Sequence, residues 1–253
     1  MKLKVITLNL WIGGILFDAI LEFLNKENPD LLILQEVNNG EDLKFEKNYR
    51  SLQILRENVD LKNYVFSPSF KDITNSYSVE RGNAIYSRYP IKLVNSIFYE
   101  ASYKVYNDIE NQPEEFPVLP RNLQHAEVIV DNSIINVFNT QGIWGLDGGD
   151  SERRLLMSEI IVNQIKEKQN VILAGDFNVK PNTQTIYNIE KHLKNIFKDE
   201  LVSTFNMKRK TNPGYATAVV DMIFVSPHIK VVDHYCPQVD ISDHLPLVCT
   251  LDI

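Results

Sequence analysis

The pattern of apolar and polar positions predicts a chain that mixes strands with helices. Short apolar or alternating runs predict β-strands at residues 3–10, 31–34, 83–87, 124–130, 134–139, 171–174, 218–225, 230–235 and 247–251. The short polar segment between the fourth and fifth of these runs predicts a β-hairpin. Such a mixture favours an α/β or α+β fold with one or two mixed sheets rather than a purely parallel sheet.

Two stretches have the spacing of amphipathic helices. The apolar residues between positions 16 and 24 fall on one helical face, and Pro29 marks the end of that helix. A second helical face recurs between positions 155 and 165, where Asp150 or Ser151 is available as the N-cap.

Segment 99–121 interrupts this regular pattern. It has no clean period, and it contains Pro113, Pro117 and Pro120. A loop of this length in a compact domain is usually functional or partly disordered, and its acidic residues make it a poor clamp for nucleic acid. We expect a surface excursion near the substrate entrance.

Length and composition permit one large domain or two small ones. The 253 residues are 44% hydrophobic and 23% charged, which is enough for a large core. No stretch is long and apolar enough to cross a membrane, and the first residues enter a strand pattern without the features of a signal peptide. The two cysteines, Cys236 and Cys249, are too few for a disulfide framework and lack metal-type spacing. We therefore expect a cytoplasmic protein.

The acidic balance limits how this chain can meet nucleic acid. A net charge of −7 argues against a general, sequence-blind nucleic-acid binder. It permits a local phosphate site, particularly one in which a metal ion supplies positive charge. The basic run 207–211 can contact a phosphate backbone or form a solvated loop, and Trp144 can stack on a base or pack internally.

Several predicted strands end in acids or amides. Asp176 and Asn178 follow the apolar run 171–174, and the alternation of an extended chain puts both side chains on one face. Taken singly, each polar residue of this kind also fits a turn, a solvated strand end, a structural ion pair or a packed histidine. The other members of the set are Asn9, Glu36, Asp221, Asp243 and His244.

These residues together predict a cation site. Ligands of α/β proteins bind outside the carboxyl ends of the strands, and acids gathered there repel one another unless a cation lies among them. Hard oxygen ligands suit Mg²⁺ or Mn²⁺, whereas zinc prefers histidine and cysteine.

Six segments in order resemble one family. They are TLNLW at 7–11, LQEV at 34–37, RGNAIYSR at 81–88, GDFN at 175–178, VDMIFVS at 220–226 and SDHLPL at 242–247. The chain resembles the endonuclease/exonuclease/phosphatase superfamily, which includes DNase I-like nucleases, abasic-site endonucleases, sphingomyelinases and inositol polyphosphate phosphatases. The resemblance spans nearly the whole chain. It implies a single domain over 1–253, built as a four-layered sandwich of two mixed β-sheets packed face to face with flanking helices.

The resemblance also implies a metal site. Asn9, Glu36 and Asp243 match the metal-binding positions of the family, and the expected cofactor is Mg²⁺ or Mn²⁺. A divalent ion there can neutralise the charge that develops on the oxygens of a phosphoester during hydrolysis.

Four further residues match the family's catalytic positions. Asp176 and Asn178 match the pair that activates water and orients the phosphate. His244 matches the histidine that contacts the phosphate, and Asp221 matches the acid that hydrogen-bonds this histidine. An acid beside an imidazole raises its pKa, which keeps the imidazole charged for a phosphate oxygen.

Gln141 departs from the family pattern. Many relatives have a histidine at this position, where it is thought to assist the leaving group. Glutamine can hydrogen-bond but cannot donate a proton in that way. Either the leaving group needs little help, or the metal supplies it, or this chain is a weakened or inactive member.

We interpret the chain as a divalent-metal-dependent phosphodiester hydrolase, and as a nuclease acting on DNA or RNA. The alternatives are a phosphatase or a lipid or inositol phosphodiesterase of the same superfamily, and a catalytically weakened binding member. We expect a phosphodiester substrate, no membrane association and a monomer.

Overall fold

Two β-sheets pack face to face in the computed structural model of this chain, which describes residues 1–40, 42–210 and 218–253. The first sheet contains β1 (Lys2–Asn9), β2 (Leu31–Asn39), β3 (Asn63–Ile73), β4 (Ser78–Ser87), β6 (Lys104–Asn107), β12 (Lys230–Tyr235) and β13 (Leu247–Asp252). The second contains β5 (Ile91–Phe98), β7 (Asn122–Val130), β8 (Ser133–Gln141), β9 (Val171–Asp176), β10 (Lys194–Asn195) and β11 (Asp221–Val225).

Both sheets are mixed, as the sequence predicts. The first has the order β12-β13-β1-β2-β4-β3-β6, and the second has the order β10-β11-β9-β8-β7-β5. The central pairs β1–β2 and β8–β9 are parallel, so polar residues at the ends of these strands gather at one edge of the sandwich. The predicted hairpin is confirmed by the antiparallel pair β7–β8.

The apolar layer between the sheets explains the long hydrophobic runs. Ile33 and Ile85 of the first sheet lie in the same fully buried cluster as Val137 and Ile172 of the second. Alternate residues of the same strands point outward and are buried by helices, because each sheet is covered on both faces. Strands buried on both faces need apolar residues at nearly every position.

Helices complete the outer layers. The first sheet is covered by α1 (Phe17–Glu27) and α2 (Ser51–Asn58), and the second by α3 (Glu152–Ile165) and α4 (Gln184–Glu190). The four-layered sandwich that the resemblance implies is therefore confirmed. No helix in the described part of the chain is long and apolar enough to span a membrane.

The structure decides between the two candidate caps of α3. The Ser151 side chain accepts a hydrogen bond from the Arg154 N–H at 3.2 Å, which satisfies one free donor of the first turn. Asp150 instead accepts hydrogen bonds from the Gln184 and Thr185 N–H groups, at 2.8 and 2.9 Å, at the start of α4.

Buried amides join the two sheets across the core. Gln35 donates through Nε2 to Asn139 Oδ1 at 2.7 Å, and Asn139 donates in turn to the Leu34 carbonyl at 2.8 Å. Asn83 donates to Asn122 Oδ1 at 3.1 Å. Buried amides keep their stabilising contribution only while these partners stay in place, so the bonds fix one sheet against the other.

Segment 99–121 is more regular than we expected. Residues 104–107 form β6 and pair in parallel with β3, and two 3₁₀-helices follow at Ile109–Asn111 and Pro113–Val118. A small apolar cluster anchors the segment, formed by Phe70, Tyr106, Ile109 and Leu119. The prolines that hid a period in the sequence belong to the second 3₁₀-helix and the chain that follows it.

Candidate functional site

A row of polar residues crosses the edge of the second sheet. Asp176 at the end of β9 pairs in register with Asp221 of β11 on one side and with Gln141 of β8 on the other. The row depends on a close backbone approach at Gly175, whose φ is +146°. A Cβ at this position would lie 2.0 Å from the Thr140 carbonyl oxygen, so only glycine fits there.

Asn9 connects this row to the first sheet. Its Nδ2 donates to Glu36 Oε1 at 3.2 Å and to Asp176 Oδ2 at 3.1 Å. Its Oδ1 accepts from the Trp11 N–H at 3.0 Å, which orients the amide. The two carboxylates therefore share one donor, although they belong to different sheets.

Glu36 is held as an anion. It lies at a register shift in β2 with φ of 55°, and its carboxylate accepts hydrogen bonds from the Ile12 N–H at 2.7 Å and from Gln141 Nε2 at 2.8 Å. Burial raises the pKa of Glu36, but the positive charge of Arg81, the Ile12 N–H, Arg121 and the Asn9 amide together lower it to about 2.

Asp176 and Asn178 lie together, but by a turn rather than by the alternation of an extended chain, because β9 ends at Asp176 and Asn178 has a φ of 54°. The Asn178 N–H donates to Asp176 Oδ1 at 2.9 Å, and Asn178 Nδ2 donates to the Gly142 carbonyl at 3.1 Å. Burial and the negative charge of Asp221 outweigh the attraction of His244 and raise the pKa of Asp176 to about 6. A carboxylate with this pKa is deprotonated at neutral pH and can still take up a proton.

Asp221 and His244 form a buried pair. His244 Nδ1 lies 2.9 Å from Asp221 Oδ2, and their side chains are 4% and 2% exposed. Burial lowers the pKa of His244, but the adjacent Asp221 carboxylate outweighs this effect and raises the pKa to about 9. The Phe205 ring contacts the imidazole edge-on, with 4.7 Å between centroids.

Asp243 has a partner that the sequence did not indicate. Its Oδ2 forms a salt bridge with Lys210 Nζ at 3.1 Å, and the neighbouring Ser242 hydroxyl donates to the Asn9 carbonyl at 2.7 Å. Lys210 belongs to the basic run 207–211, of which Thr211 lies outside the described residues. This run therefore supplies a positive charge at the site edge.

Gln141 is buried, and both ends of its side-chain amide have a hydrogen-bond partner. Its Oε1 accepts from Arg121 Nη1 at 2.6 Å, while its Nε2 donates to Glu36. Arg81 was expected only as the first residue of the segment RGNAIYSR, without a role, and Arg121 was not expected at the site. The signal available for Arg81 was its place in RGNAIYSR, and Arg121 offered only its position just before the predicted strand 124–130.

The acid and histidine groups differ in their suitability for a metal. Ligand atoms of Asp176, Asp221 and His244 lie within 4.8 Å of one another. A protonated His244, with Nδ1 directed at Asp221, has no lone pair to offer. Glu36 fits Mg²⁺ or Mn²⁺ better, since it is anionic and offers hard oxygen ligands.

Solved structures share this fold. An endonuclease/exonuclease/phosphatase from Beutenbergia cavernae DSM 12333 has a TM-score of 0.76 at 19% identity, covering 99% of this chain and 71% of that chain. D. rerio TDP2 complexed with a single-strand DNA product has a TM-score of 0.71 at 17% identity, covering 100% and 99%. The human Nocturnin catalytic domain with bound sulfate has a TM-score of 0.68 at 17% identity, covering 99% and 94%.

Identities this low show a shared fold and no more. No curated protein matches the sequence significantly. The sequence itself carries the assignment, because residues 6–244 match the model of the Endonuclease/Exonuclease/phosphatase family, and this chain belongs to that family.

Proposed function

We propose that this chain is a divalent-metal-dependent phosphodiester hydrolase and that its substrate is nucleic acid. Members of the family are generally hydrolases of phosphoester bonds, among them phosphodiesterases, nucleases and phosphatases. One observation carries the proposal: Asp176 lies between an anionic Glu36 on one side and a buried Asp221–His244 pair on the other. This arrangement combines a base, a cation and a metal-suited carboxylate around one position.

Asp176 has the properties of a general base. With a pKa of about 6 it is deprotonated at neutral pH, and the proton taken from an attacking water would remain on its carboxyl group. The Asn178 N–H fixes Asp176 Oδ1, so the base has one orientation. The Asn178 amide lies beside it and can orient a phosphate oxygen.

His244 supplies a fixed positive charge. Its Nδ1 is directed at Asp221, which leaves Nε2 as the donor for a nonbridging phosphate oxygen. A charged donor held in a water-poor site stabilises the negative charge of the transition state without reorganisation.

Glu36 and Asn9 would hold the divalent ion. The ion supplies Lewis-acid stabilisation of the phosphoester oxygens when bound. Asp243 would join these ligands once its oxygen exchanged Lys210 for the ion. The Gln141 amide and the Asn9 amide already fix the Glu36 carboxylate from two directions, which orients its free lone pairs.

Nucleic acid is the substrate that the comparisons favour. The D. rerio TDP2 structure holds a single-strand DNA product, and its fold covers this whole chain. The net charge of −7 confines binding to local positive groups at the site edge, such as Lys210 and Arg121.

A substrate panel tests the proposal. The full chain is assayed with Mg²⁺, with Mn²⁺ and with chelator on single- and double-stranded DNA, abasic DNA, 5′-tyrosyl DNA, RNA, inositol phosphates and sphingomyelin. Asp176→Asn is the inactive variant, and Asp131→Asn, at an exposed turn, is the matched control.

The expected result is cleavage of a nucleic acid that needs both the metal and Asp176. Cleavage confined to inositol phosphates or sphingomyelin would show that the substrate is not nucleic acid, and the proposed hydrolytic mechanism would stand. Absence of hydrolysis on every substrate would favour a binding member that has lost activity.

A further inference from the structure

Two arginines from different sheets meet beside Glu36. Arg81 belongs to β4 of the first sheet, and Arg121 directly precedes β7 of the second. Asn83 Nδ2 donates to both the carbonyl oxygen and Oδ1 of Asn122, each at 3.1 Å, which fixes these two strands against each other. Arg121 donates to Gln141, whose amide donates to Glu36, and Arg81 pairs in register with Asn38, two residues from Glu36 along β2. Both guanidinium groups therefore lie at this edge of the site, and both charges act on the Glu36 carboxylate.

Neither guanidinium has a carboxylate partner of its own. The salt bridges that arginines make in the described part of the chain involve Arg88, Arg153, Arg154 and Arg209. Arg81 donates through Nε to the neutral amide of Asn38 at 3.1 Å, and Arg121 donates through Nη1 to the neutral amide of Gln141.

Donors of both groups are left over. Arg121 Nε is buried and has no hydrogen-bond partner. A guanidinium group carries five N–H donors, and an unsatisfied buried donor is costly, so the arrangement is incomplete as it stands. Glu36 is the carboxylate that both positive charges share, and Asp176 acts on Arg121 as well, but neither acid forms a salt bridge with these arginines. An anion with several oxygens would use the free donors and offset the remaining charge.

We propose that Arg81 and Arg121 form an anion site that binds a second phosphate group of the substrate, separate from the phosphoester that is cleaved. Paired guanidinium groups match phosphate because their forked donors bind two oxygens at once. The role of this site in catalysis rests on the proposed phosphodiesterase function, whereas its affinity for phosphate does not.

The strand order places this site away from the histidine. β11, β9, β8 and β7 are consecutive neighbours, and they carry or precede Asp221, Asp176, Gln141 and Arg121 in that order. Neighbouring strands lie about 4.8 Å apart, so His244 with Asp221 and the arginines lie on opposite sides of Asp176. A substrate with two phosphates can therefore span from Asp176 to the arginines without displacing His244.

Direct binding of inorganic phosphate is the first test. Calorimetric titration of the metal-free full chain is compared with Arg81→Gln, Arg121→Gln and Arg121→Lys, and with the exposed control Arg56→Gln. We expect each glutamine variant to weaken phosphate binding about tenfold or more, since charged hydrogen bonds are lost. Arg121→Lys keeps the charge and loses the fork, so its affinity falls in between, and Arg56→Gln matches the parent.

A melting curve accompanies each variant, because Arg121→Gln also removes the partner of Gln141. Arg81 makes no hydrogen bond to Gln141 or Asp176. If Arg121→Gln unfolds, the phosphate affinity of Arg81→Gln therefore tests the anion site. Unchanged phosphate affinity in folded Arg81→Gln and Arg121→Lys would overturn the site, as would a parent that binds no phosphate.

Matched substrates form the second test. Thymidine 5′-(nitrophenyl phosphate) has one phosphate, and its 3′-phosphorylated derivative has a second. A trinucleotide with the same 5′-(nitrophenyl phosphate) carries its additional phosphates as internal diesters, so all three substrates share one leaving group. We expect the parent to prefer a two-phosphate substrate about tenfold in kcat/KM, and both glutamine variants to lose that preference. A higher kcat/KM with the trinucleotide indicates that the second phosphate belongs to a polynucleotide backbone. A higher kcat/KM with the 3′-phosphorylated derivative indicates that it belongs to a small phosphorylated molecule. Equal rates on all three substrates in the parent would overturn the role in substrate binding.

The two tests separate the two proposals. If no substrate is hydrolysed but phosphate binding depends on both arginines, the hydrolase function fails and the anion site stands. If the nitrophenyl ester is cleaved with metal but the arginine variants keep the phosphate affinity and substrate preference of the parent, the hydrolase function stands and the anion site fails.

Discussion

His244 Nδ1 lies 2.9 Å from Asp221 Oδ2, inside the protein and one strand away from Asp176. Asp221 is the carboxylate that most strongly favours the charged imidazole, and Asp176 and Asp243 add to its effect. We expect Asp221→Asn to lower the pKa of His244 from about 9, because a neutral amide no longer favours the imidazolium form. An NMR titration of the His244 ring in the parent, in Asp221→Asn and in the control Asp131→Asn measures this shift. The same His244 pKa in all three proteins would contradict the pairing.

The pH dependence of hydrolysis follows from two groups with opposite requirements. Asp176 must be deprotonated, so the rate falls as pH drops through about 6, and His244 must be protonated, so it falls as pH rises through about 9. We expect a plateau between these limits in kcat/KM. In Asp221→Asn both limits move to lower pH, because the Asp221 charge raises the pKa of each group. A rate that kept rising above pH 9 in the parent would exclude a charged His244 from the mechanism.

Glu36 is the residue whose change should affect metal binding most directly. We expect Glu36→Gln to weaken Mg²⁺ binding by at least about tenfold, because it removes the negative charge of the ligand and keeps the shape of the side chain. Calorimetry with Mg²⁺ and with Mn²⁺ measures the loss, and Glu22→Gln on the exposed face of α1 is the control. Hydrolysis that continued unchanged in the presence of chelator would show that no metal is needed.

Asp176→Asn tests the general base. The asparagine oxygen can still accept from the Asn178 N–H, but the asparagine NH2 then faces the Asn9 Nδ2 donor, so we expect the fold to be retained with a lower melting temperature. Turnover should fall by roughly 10²–10⁴, the usual contribution of a general base. Rates and melting curves are compared with Asp131→Asn. A variant that unfolds would return Asp176 to the role of a structural turn residue.

Gln141→His tests the departure from the family pattern. A histidine here can donate a proton to the leaving oxygen, a contribution of roughly 10²–10⁴ that matters most for basic leaving groups. We expect the parent to favour nitrophenyl esters over DNA, and the variant to gain on DNA while changing little on nitrophenyl esters. Equal parent rates on both, with no gain from histidine, would show that another group already assists the leaving oxygen.

The fold was predictable where strands are buried on both faces. The predicted strand 247–251 lies within β13 (Leu247–Asp252), and the run 171–174 is the core of β9. The strand Asn63–Ile73 escaped prediction because Pro68 interrupts it, and the structure accommodates this proline beside a register shift. The edge strand Ile91–Phe98 is mostly exposed, so its alternation carries little apolar signal.

The members of the site were easier to predict than their contacts. Strand-end position selects Asn9 and Asp176, but their hydrogen bond joins residues 167 positions apart, and spacing alone cannot reveal it. The partners of Gln141 and Asp243 come from Arg121 and Lys210, which look like ordinary surface cations in the sequence. Pairing across two sheets is a property of the packed core.

The amide bonds between the sheets have a consequence for how mutants of this protein are interpreted. Asn9 and Glu36 lie on one sheet and Asp176 and Asp221 on the other, so each sheet alone carries half of the proposed active site. Gln35–Asn139 lies in the dry interior and sets how the halves meet. A substitution there would lower the proposed activity without touching a reacting atom, because a shift of one sheet against the other would separate Glu36 from Asp176. A loss of turnover can therefore also arise from a misalignment of the two sheets. In this protein it identifies a catalytic residue only when the melting curve shows that the variant is still folded.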